Sequence, residues 1–192
     1  MLYSIIRCIL TPIIYLLFRP NVTGRENIPS EGSAIVYSNH ISILDPILLA
    51  CILPRKINFM AKEELFKNPL FRRILRAVGA FPVKRGSADI TAIKTALRRL
   101  KEGKVFGIFP EGTRSKDGEM LNFTHGMAAI AQRSGAVTVP VAISGKYNVF
   151  HPLHVTIGKP LDLKDYYGKK SNSELLNKMS ELMSTEIKKL SG

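Results

Sequence analysis

What most limits the fold of this chain is a rhythm: short apolar runs of strand length, set apart by segments with helical spacing. "SAIVYS", "KINFMA", "AFPVKR", "KVFGIFP", "AVTVPVAISG" and "HVTIGKPLDL" read as strands. Between them stand "PILLACIL", opened by a proline, and "EELFKNPLFRRILRAVG", helical with a proline break. "SADITAIKTALRRLKEG" has serine at the N-cap position, an early aspartate and a glycine stop, and "FTHGMAAIAQRSG" is a further helix. "NSELLNKMSELMSTEIKKL" closes the chain as an amphipathic helix. Continuously apolar strands alternating with helices are buried on both faces, so the expected class is α/β, a single domain whose largely parallel or mixed central sheet is covered by helices. The 192 residues are about the size of one ordinary domain.

A formal charge of +13 calls for a polyanionic neighbour, and phosphate in nucleic acid, in lipid headgroups or in a small substrate meets that need. Nucleic acid is disfavoured, because the chain has no tryptophan and no interleaving of aromatic and basic residues for base stacking. Cys8 and Cys51 match neither a disulfide framework nor a paired metal spacing, which points to a reducing compartment. The opening "MLYSIIRCILTPIIYLLF" is almost wholly apolar, and Arg7 interrupts it where a signal peptide would run unbroken to a cleavage site. It is marginal for a span, which takes roughly 20 apolar residues. Ser4, Arg7, Cys8, Thr11 and Tyr15 recur at the spacing of one helix face, the pattern of a helix lying in the membrane interface. A true span and a helix packed on the protein's own core are the alternatives.

In parallel α/β sheets, sites gather at the carboxyl ends of strands. Three such ends here are polar: "NHISILD" after "AIVYS", "KR" after "AFPV", and "PEGTRS" after "VFGIF". His40 and Asp45, five residues apart, would stand about 140° from each other on a continuous helix. Asp45 before Pro46 reads as an N-cap with proline at the first helical position, which places a loop between the pair. In that loop the carboxylate can hold one ring nitrogen of His40 while the other faces a substrate proton. Spacing alone leaves this reading open beside a purely structural one, in which Asp45 only caps and His40 bonds to backbone. Too few ligands surround the pair for a metal, and His151 with His154 in "HPLH" is only a weak second pair, so no metal is expected.

In "FPEGTRS", Arg114 can grip a phosphate bidentately, Gly112 permits close backbone approach, and Thr113 or Ser115 can add a hydroxyl. Glu111 would repel an anion, so a role for it is to bind a substrate hydroxyl or to fix Arg114. Lys84 and Arg85 end one apolar strand and Lys62 another, and with Arg114 they sketch a phosphate cradle. No G-x-S-x-G elbow occurs, and Ser42 has no histidine placed for a covalent serine mechanism. A base, a phosphate cradle and a membrane anchor without an enzymic nucleophile fit a reaction in which a substrate hydroxyl attacks directly.

On these residues the chain resembles the glycerolipid acyltransferases, and within them the bacterial 1-acylglycerol-3-phosphate O-acyltransferases, or lysophosphatidic acid acyltransferases. Asparagine-histidine, four residues and an aspartate appear as "NHISILD". The second motif appears as "GAFPVKRG", the third as "FPEGTRS" and the fourth as "VPV" at Val139 to Val141, in family order over about residues 35 to 145. The resemblance implies the fold of that family and a His-Asp acyltransferase domain over residues 20–192 behind an interfacial helix at 1–19. His40, oriented by Asp45, would take the proton of a lysophospholipid hydroxyl, the free sn-2 hydroxyl of 1-acylglycerol 3-phosphate, as it attacks an acyl thioester. The product would be phosphatidic acid. The donor would be acyl-CoA or acyl-acyl carrier protein, used as a substrate, with no bound cofactor.

By the same resemblance Glu111, Gly112 and Arg114 would bind the glycerol phosphate, Arg85 and Lys62 would support them, and Pro140 would shape the acyl-chain side. The implied partners are the lysophospholipid, the acyl thioester, an anionic membrane surface and acyl carrier protein. The implied location is the cytoplasmic face of the cell membrane, with monotopic or peripheral attachment through about one helix. One departure stands out: where the family often has F-K-x-G, this chain has "FTHG", Phe123 to Gly126, which lowers the positive charge there. Competing readings are the same scaffold acting on another lysophospholipid or on glycerol phosphate, and a non-catalytic basic protein that binds anionic lipid.

Overall fold

The computed structural model describes residues 2–84, 89–114 and 123–191. A helix, α1 (Leu2–Phe18), leads into a short strand, β1 (Asn21–Thr23), and then into the expected alternation. The elements that follow are β2 (Ala34–Ser38), α2 (Asp45–Ile52), β3 (Ile57–Lys62), α3 (Pro69–Ala77), β4 (Phe81–Val83), α4 (Ile90–Lys101) and β5 (Val105–Ile108). The chain ends with α5 (His125–Ser134), β6 (Val137–Ser144), β7 (His154–Ile157) and α6 (Ser173–Ser191). The strands form one sheet in the order β1-β7-β6-β2-β5-β3-β4. Every neighbouring pair is parallel except β6 with β7. The sheet is therefore mixed, with a parallel centre.

Each face of the sheet carries its own core. Val36, Val105, Val139 and Val141 face α1 and α2, packing with Ile14, Phe18, Leu48 and Leu49. Ile35, Tyr37, Phe106 and Ala142 face α4, α5 and α6, packing with Ala96, Met127 and Met183. Side chains alternate across a strand, so a centre strand such as "AIVYS" must be apolar at every position to fill both layers. The edge strands are short, and β4 carries Pro82, whose missing N–H is tolerated at an edge.

Several boundaries differ from the sequence reading, each for a local reason. β1 lies in "RPNVTGRENIPSEGS", a polar stretch with turn residues, because an edge strand with an exposed, half-buried, exposed pattern has no apolar run to show. "EELFKNPLFRRILRAVG" splits into a 3-10 turn, Glu63–Phe66, and α3, which Asn68 caps by accepting from the N–H groups of Leu70 and Phe71, with Pro69 opening the helix. Asp89 caps α4 by accepting the N–H of Ala92, whereas the serine read as its cap, Ser87, lies outside the described residues. The strand "HVTIGKPLDL" ends at Ile157, and beyond it Leu161 makes only an isolated bridge to Thr138.

The first helix packs in part on the protein's own core, one of the alternatives open for it. Ile14 and Phe18 are buried in the core, and Arg7 turns inward, its Nη2 donating to the carbonyl oxygens of Leu53 at 2.7 Å and Cys51 at 3.4 Å. These are carbonyls that the end of α2 leaves without helical partners. Leu2, Ile5, Ile9, Ile13 and Leu16 face outward. Among the described residues no helix is long and apolar enough to cross a membrane.

Candidate active site

Because β2, β5, β3 and β4 are parallel neighbours, the loops that leave them open on one edge of the sheet. At the end of β2, Asn39 replaces a rung of the ladder: its Nδ2 donates to the Ile143 carbonyl and its Oδ1 accepts the Ile143 N–H, both at 2.8 Å. The asparagine of the first motif thus pins the strand end to β6. His40, the next residue, is held by its backbone. Its N–H donates to Oε1 of Glu111 at 3.0 Å.

The His40 ring lies between Asp45 and Phe109. Nδ1 is 2.7 Å from Asp45 Oδ2, and the Phe109 ring stacks on the imidazole with centroids 4.2 Å apart. Phe59 stacks behind Phe109 in turn. Gly107 makes that layer possible, since a methyl at that position would collide with the Phe59 ring and with Ile57. The glycine inside "VFGIFP" is thereby explained by close approach of a ring.

Asp45 is fully buried and surrounded by donors. Oδ2 accepts the N–H groups of Ile41 and Ser42, both at 2.8 Å, and Oδ1 accepts the Tyr147 hydroxyl at 2.7 Å. Backbone N–H groups can only donate, so Asp45 acts as a carboxylate and the proton shared with His40 sits on Nδ1. Nε2 then carries the lone pair, on a ring that lines the cavity described below. Burial, with the charge of Asp45 next in weight, pushes the Tyr147 hydroxyl far above its ordinary value, which keeps it a donor.

This arrangement corrects the expected helix cap. Asp45 is the first residue of α2, Leu44 stands at the cap position, and neither makes a side-chain capping bond. The carboxylate points back into the loop, where His40, two backbone N–H groups and Tyr147 occupy its acceptor sites. Ser42 has a local role, its Oγ accepting the N–H of Leu44.

A cavity of about 950 Å³ opens beside the imidazole. Its walls are largely hydrocarbon, with Leu10, Ile47, Phe59, Ile93 and Ile130 among the lining residues. Lys62, Lys84, Gly112 and Arg114 also line it, so three of the cations read as a phosphate cradle share the space with His40. Lys62 pairs with Glu64 at 3.2 Å in an exposed contact. The Lys84 N–H donates to Asp89, which with the N–H of Ala92 holds that carboxyl below its usual range. Gly112 adopts φ +69°, a left-handed turn that favours glycine.

Among the described residues, some of the expected ones do not line the cavity. Thr113 is exposed and absent from the cavity wall, while Arg85 and Ser115 lie outside the described residues. Glu111 is buried, with Oε1 on the backbone of His40, so it ties the first motif to the third. Pro140 sits on β6 with its carbonyl accepting the N–H of Gly158, where any side chain would collide with the proline ring and with Leu190. That packing shapes the β6–β7 junction, and Pro140 is not part of the cavity wall. At the departure from F-K-x-G, Thr124 Oγ1 donates to the Pro110 carbonyl and His125 Nε2 lies 2.5 Å from Asn177 Oδ1.

Sequence reasoning missed Tyr147, Phe109 as a ring support, and the pinning role of Asn39. Tyr147 lies more than a hundred residues from Asp45 in a loop with no motif, so no local signal marks it. Phe109 stood inside the quoted "FPEGTRS", where its place directly before the turn was the available clue.

Comparison with known proteins shows the family. A profile of the Acyltransferase family matches residues 19–144. The chain is 36% identical over 175 residues to the 1-acyl-sn-glycerol-3-phosphate acyltransferase of Bacillus subtilis, covering 88% of this chain and 86% of that protein. The Borreliella burgdorferi protein of the same name is 33% identical, and the match covers 67% of this chain and 52% of that longer protein. The crystal structure of the 1-acyl-sn-glycerophosphate acyltransferase PlsC from Thermotoga maritima superposes with a TM-score of 0.74 at 30% identity, covering 98% of this chain and 78% of that one. A chain this similar, along this much of its length, to enzymes of one kind belongs to their family, the acyltransferases.

Proposed function

We propose that this acyltransferase moves a fatty acyl group from acyl-CoA or acyl-acyl carrier protein to the free sn-2 hydroxyl of 1-acylglycerol 3-phosphate, yielding phosphatidic acid. The observation that carries this reading is one buried imidazole, oriented by a carboxylate, opening on a large hydrocarbon-lined cavity that lysine and arginine side chains also line. Nε2 of His40 takes the hydroxyl proton as the oxygen forms its bond to the thioester carbonyl carbon. Asp45 stabilises the resulting imidazolium through Nδ1. As the tetrahedral intermediate collapses, the C–S bond breaks and the imidazolium returns the proton to the leaving sulfur. An ester and a free thiol result, with no covalent enzyme intermediate.

In this reading Arg114, Lys62 and Lys84 hold the phosphate, with Arg85, Thr113 and Ser115 in support, and the left-handed turn at Gly112 brings backbone close to it. Glu111 fixes the backbone of His40. The enzyme works at the cytoplasmic face of the cell membrane, with residues 1–19 lying in the interface through the outward face of α1.

The test is release of free thiol by the purified protein, with each donor in parallel and acceptors in competition. The expected result is that 1-acylglycerol 3-phosphate excludes both lysophosphatidylcholine and glycerol 3-phosphate. Equal use of an acceptor lacking the phosphate monoester contradicts the proposed phosphate contacts.

A further inference from the structure

We propose that α3 is a second membrane-contacting element, one that reads negative charge on the bilayer surface. The proposal rests on the reading of the enzyme as one that acts on membrane lipid, and it adds an electrostatic contact to the apolar one offered by α1.

The nine residues "PLFRRILRA" contain none that is buried. Leu70 is 67% exposed and Phe71 59%, with Ile74 beside them. At about 100° per residue, Leu70, Ile74 and Phe71 occupy one arc and Arg72, Arg76 and Arg73 the opposite one. The helix holds no acidic residue, and its three arginines are exposed. A short helix with uncovered apolar residues on one arc and only cations on the other is the composition of an interfacial helix. In that setting arginine stems lie along the apolar boundary and their guanidinium groups reach lipid phosphates.

Position gives the charge a purpose. Leu75 and Val78, which fall on the same arc as Ile74 and Phe71, line the cavity beside His40, as do Tyr3, Ile6 and Leu10 of α1. Between these walls, Ile43, Ile47 and Leu65 both line the cavity and reach solvent. The mouth is thus rimmed by exposed hydrocarbon between α1 and α3. With both helices on the bilayer, a lysophospholipid passes from the leaflet into the cavity without its chain crossing water. The arginines favour the anionic leaflet, and a phosphate-bearing acceptor is itself part of that charge.

The acidic acyl carrier protein is the other candidate for an arginine face. The bilayer is favoured because apolar side chains are exposed on the same helix and continue the apolar rim of the cavity.

The test uses the full-length protein and vesicles of phosphatidylcholine with and without phosphatidylglycerol. Since the chain has no tryptophan, Phe71→Trp gives a single reporter. Its emission should shift to the blue and be quenched by brominated phosphatidylglycerol vesicles, and an unchanged spectrum overturns the proposal. Joint replacement of Arg72, Arg73 and Arg76 by glutamine should weaken binding to the anionic vesicles by about a hundredfold and reduce its salt dependence, with little change on phosphatidylcholine. Undiminished binding to anionic vesicles, or a changed KM for acyl carrier protein with vesicle binding intact, overturns it. Thiol release with a short-chain acceptor below its micelle concentration should match the parent. This assay separates failure of the α3 proposal from failure of the acyltransfer reading, because the latter predicts turnover of the soluble acceptor whatever α3 does.

Discussion

At the scale of single residues, the site is organised around Asp45. Its four donors fix three things together: the path of the loop through Ile41 and Ser42, the tautomer of His40, and the anchorage of the loop that carries Tyr147. Tyr147→Phe removes one donor and leaves the ring, which packs edge-on against Phe18. With one donor fewer, the carboxylate is held less firmly against the His40 ring. The expected outcome is a kcat lowered by about tenfold with an unchanged KM. An unchanged kcat reduces Tyr147 to a packing residue. The pairing of His40 with Asp45 was legible because both lie in one short loop. Tyr147 was not, because tertiary packing brings it there from across the sheet. The reading of Asp45 as a helix cap failed for a related reason. Aspartate before proline is a good capping signal, and only the surrounding donors show that its carboxylate turns the other way.

At the scale of elements, α1 seats part of its polar stripe against the protein. Arg7 turns inward, while Ile5, Ile9 and Ile13 take the exposed side. The guanidinium supplies donors to the carbonyl end of α2, whose other end begins at Asp45. Arg7 therefore helps seat the helix that opens with Asp45. Arg7→Met keeps the stem and removes the donors, and should lower stability by about 1–2 kcal/mol. Urea unfolding reads this as a lower midpoint with the same slope, and an unchanged midpoint means that water replaces the guanidinium without loss. The strand and helix rhythm was legible because burial on both sheet faces demands continuous apolar runs. The three-residue edge strand β1 lacked that demand and left no pattern.

For the whole molecule, topology does what the motifs alone could not display. Parallel pairing of β2, β5, β3 and β4 sends their loops to one edge, so segments dispersed from His40 to Arg114 meet at one cavity. Pro140, in the fourth motif, packs against Gly158. The same burial has a consequence for pH. Tyr37 and Tyr147 are both raised above the ordinary tyrosine value of about 10, chiefly by burial. Their contribution to stability is complete below that pH. It is lost as pH rises beyond it, because only the unfolded chain then ionises them. The melting temperature should therefore hold up to about pH 10 and fall above it. Phenolate absorbance from these two residues should appear only with unfolding, and its appearance in the folded protein would show that they are not shielded.

The central claim is that His40 is the base that activates the acceptor hydroxyl, and thioester turnover by His40→Ala addresses it most directly. With folding and acceptor binding unchanged, thiol release should fall by about a hundredfold or more. A variant that releases thiol at the parental rate would contradict the account.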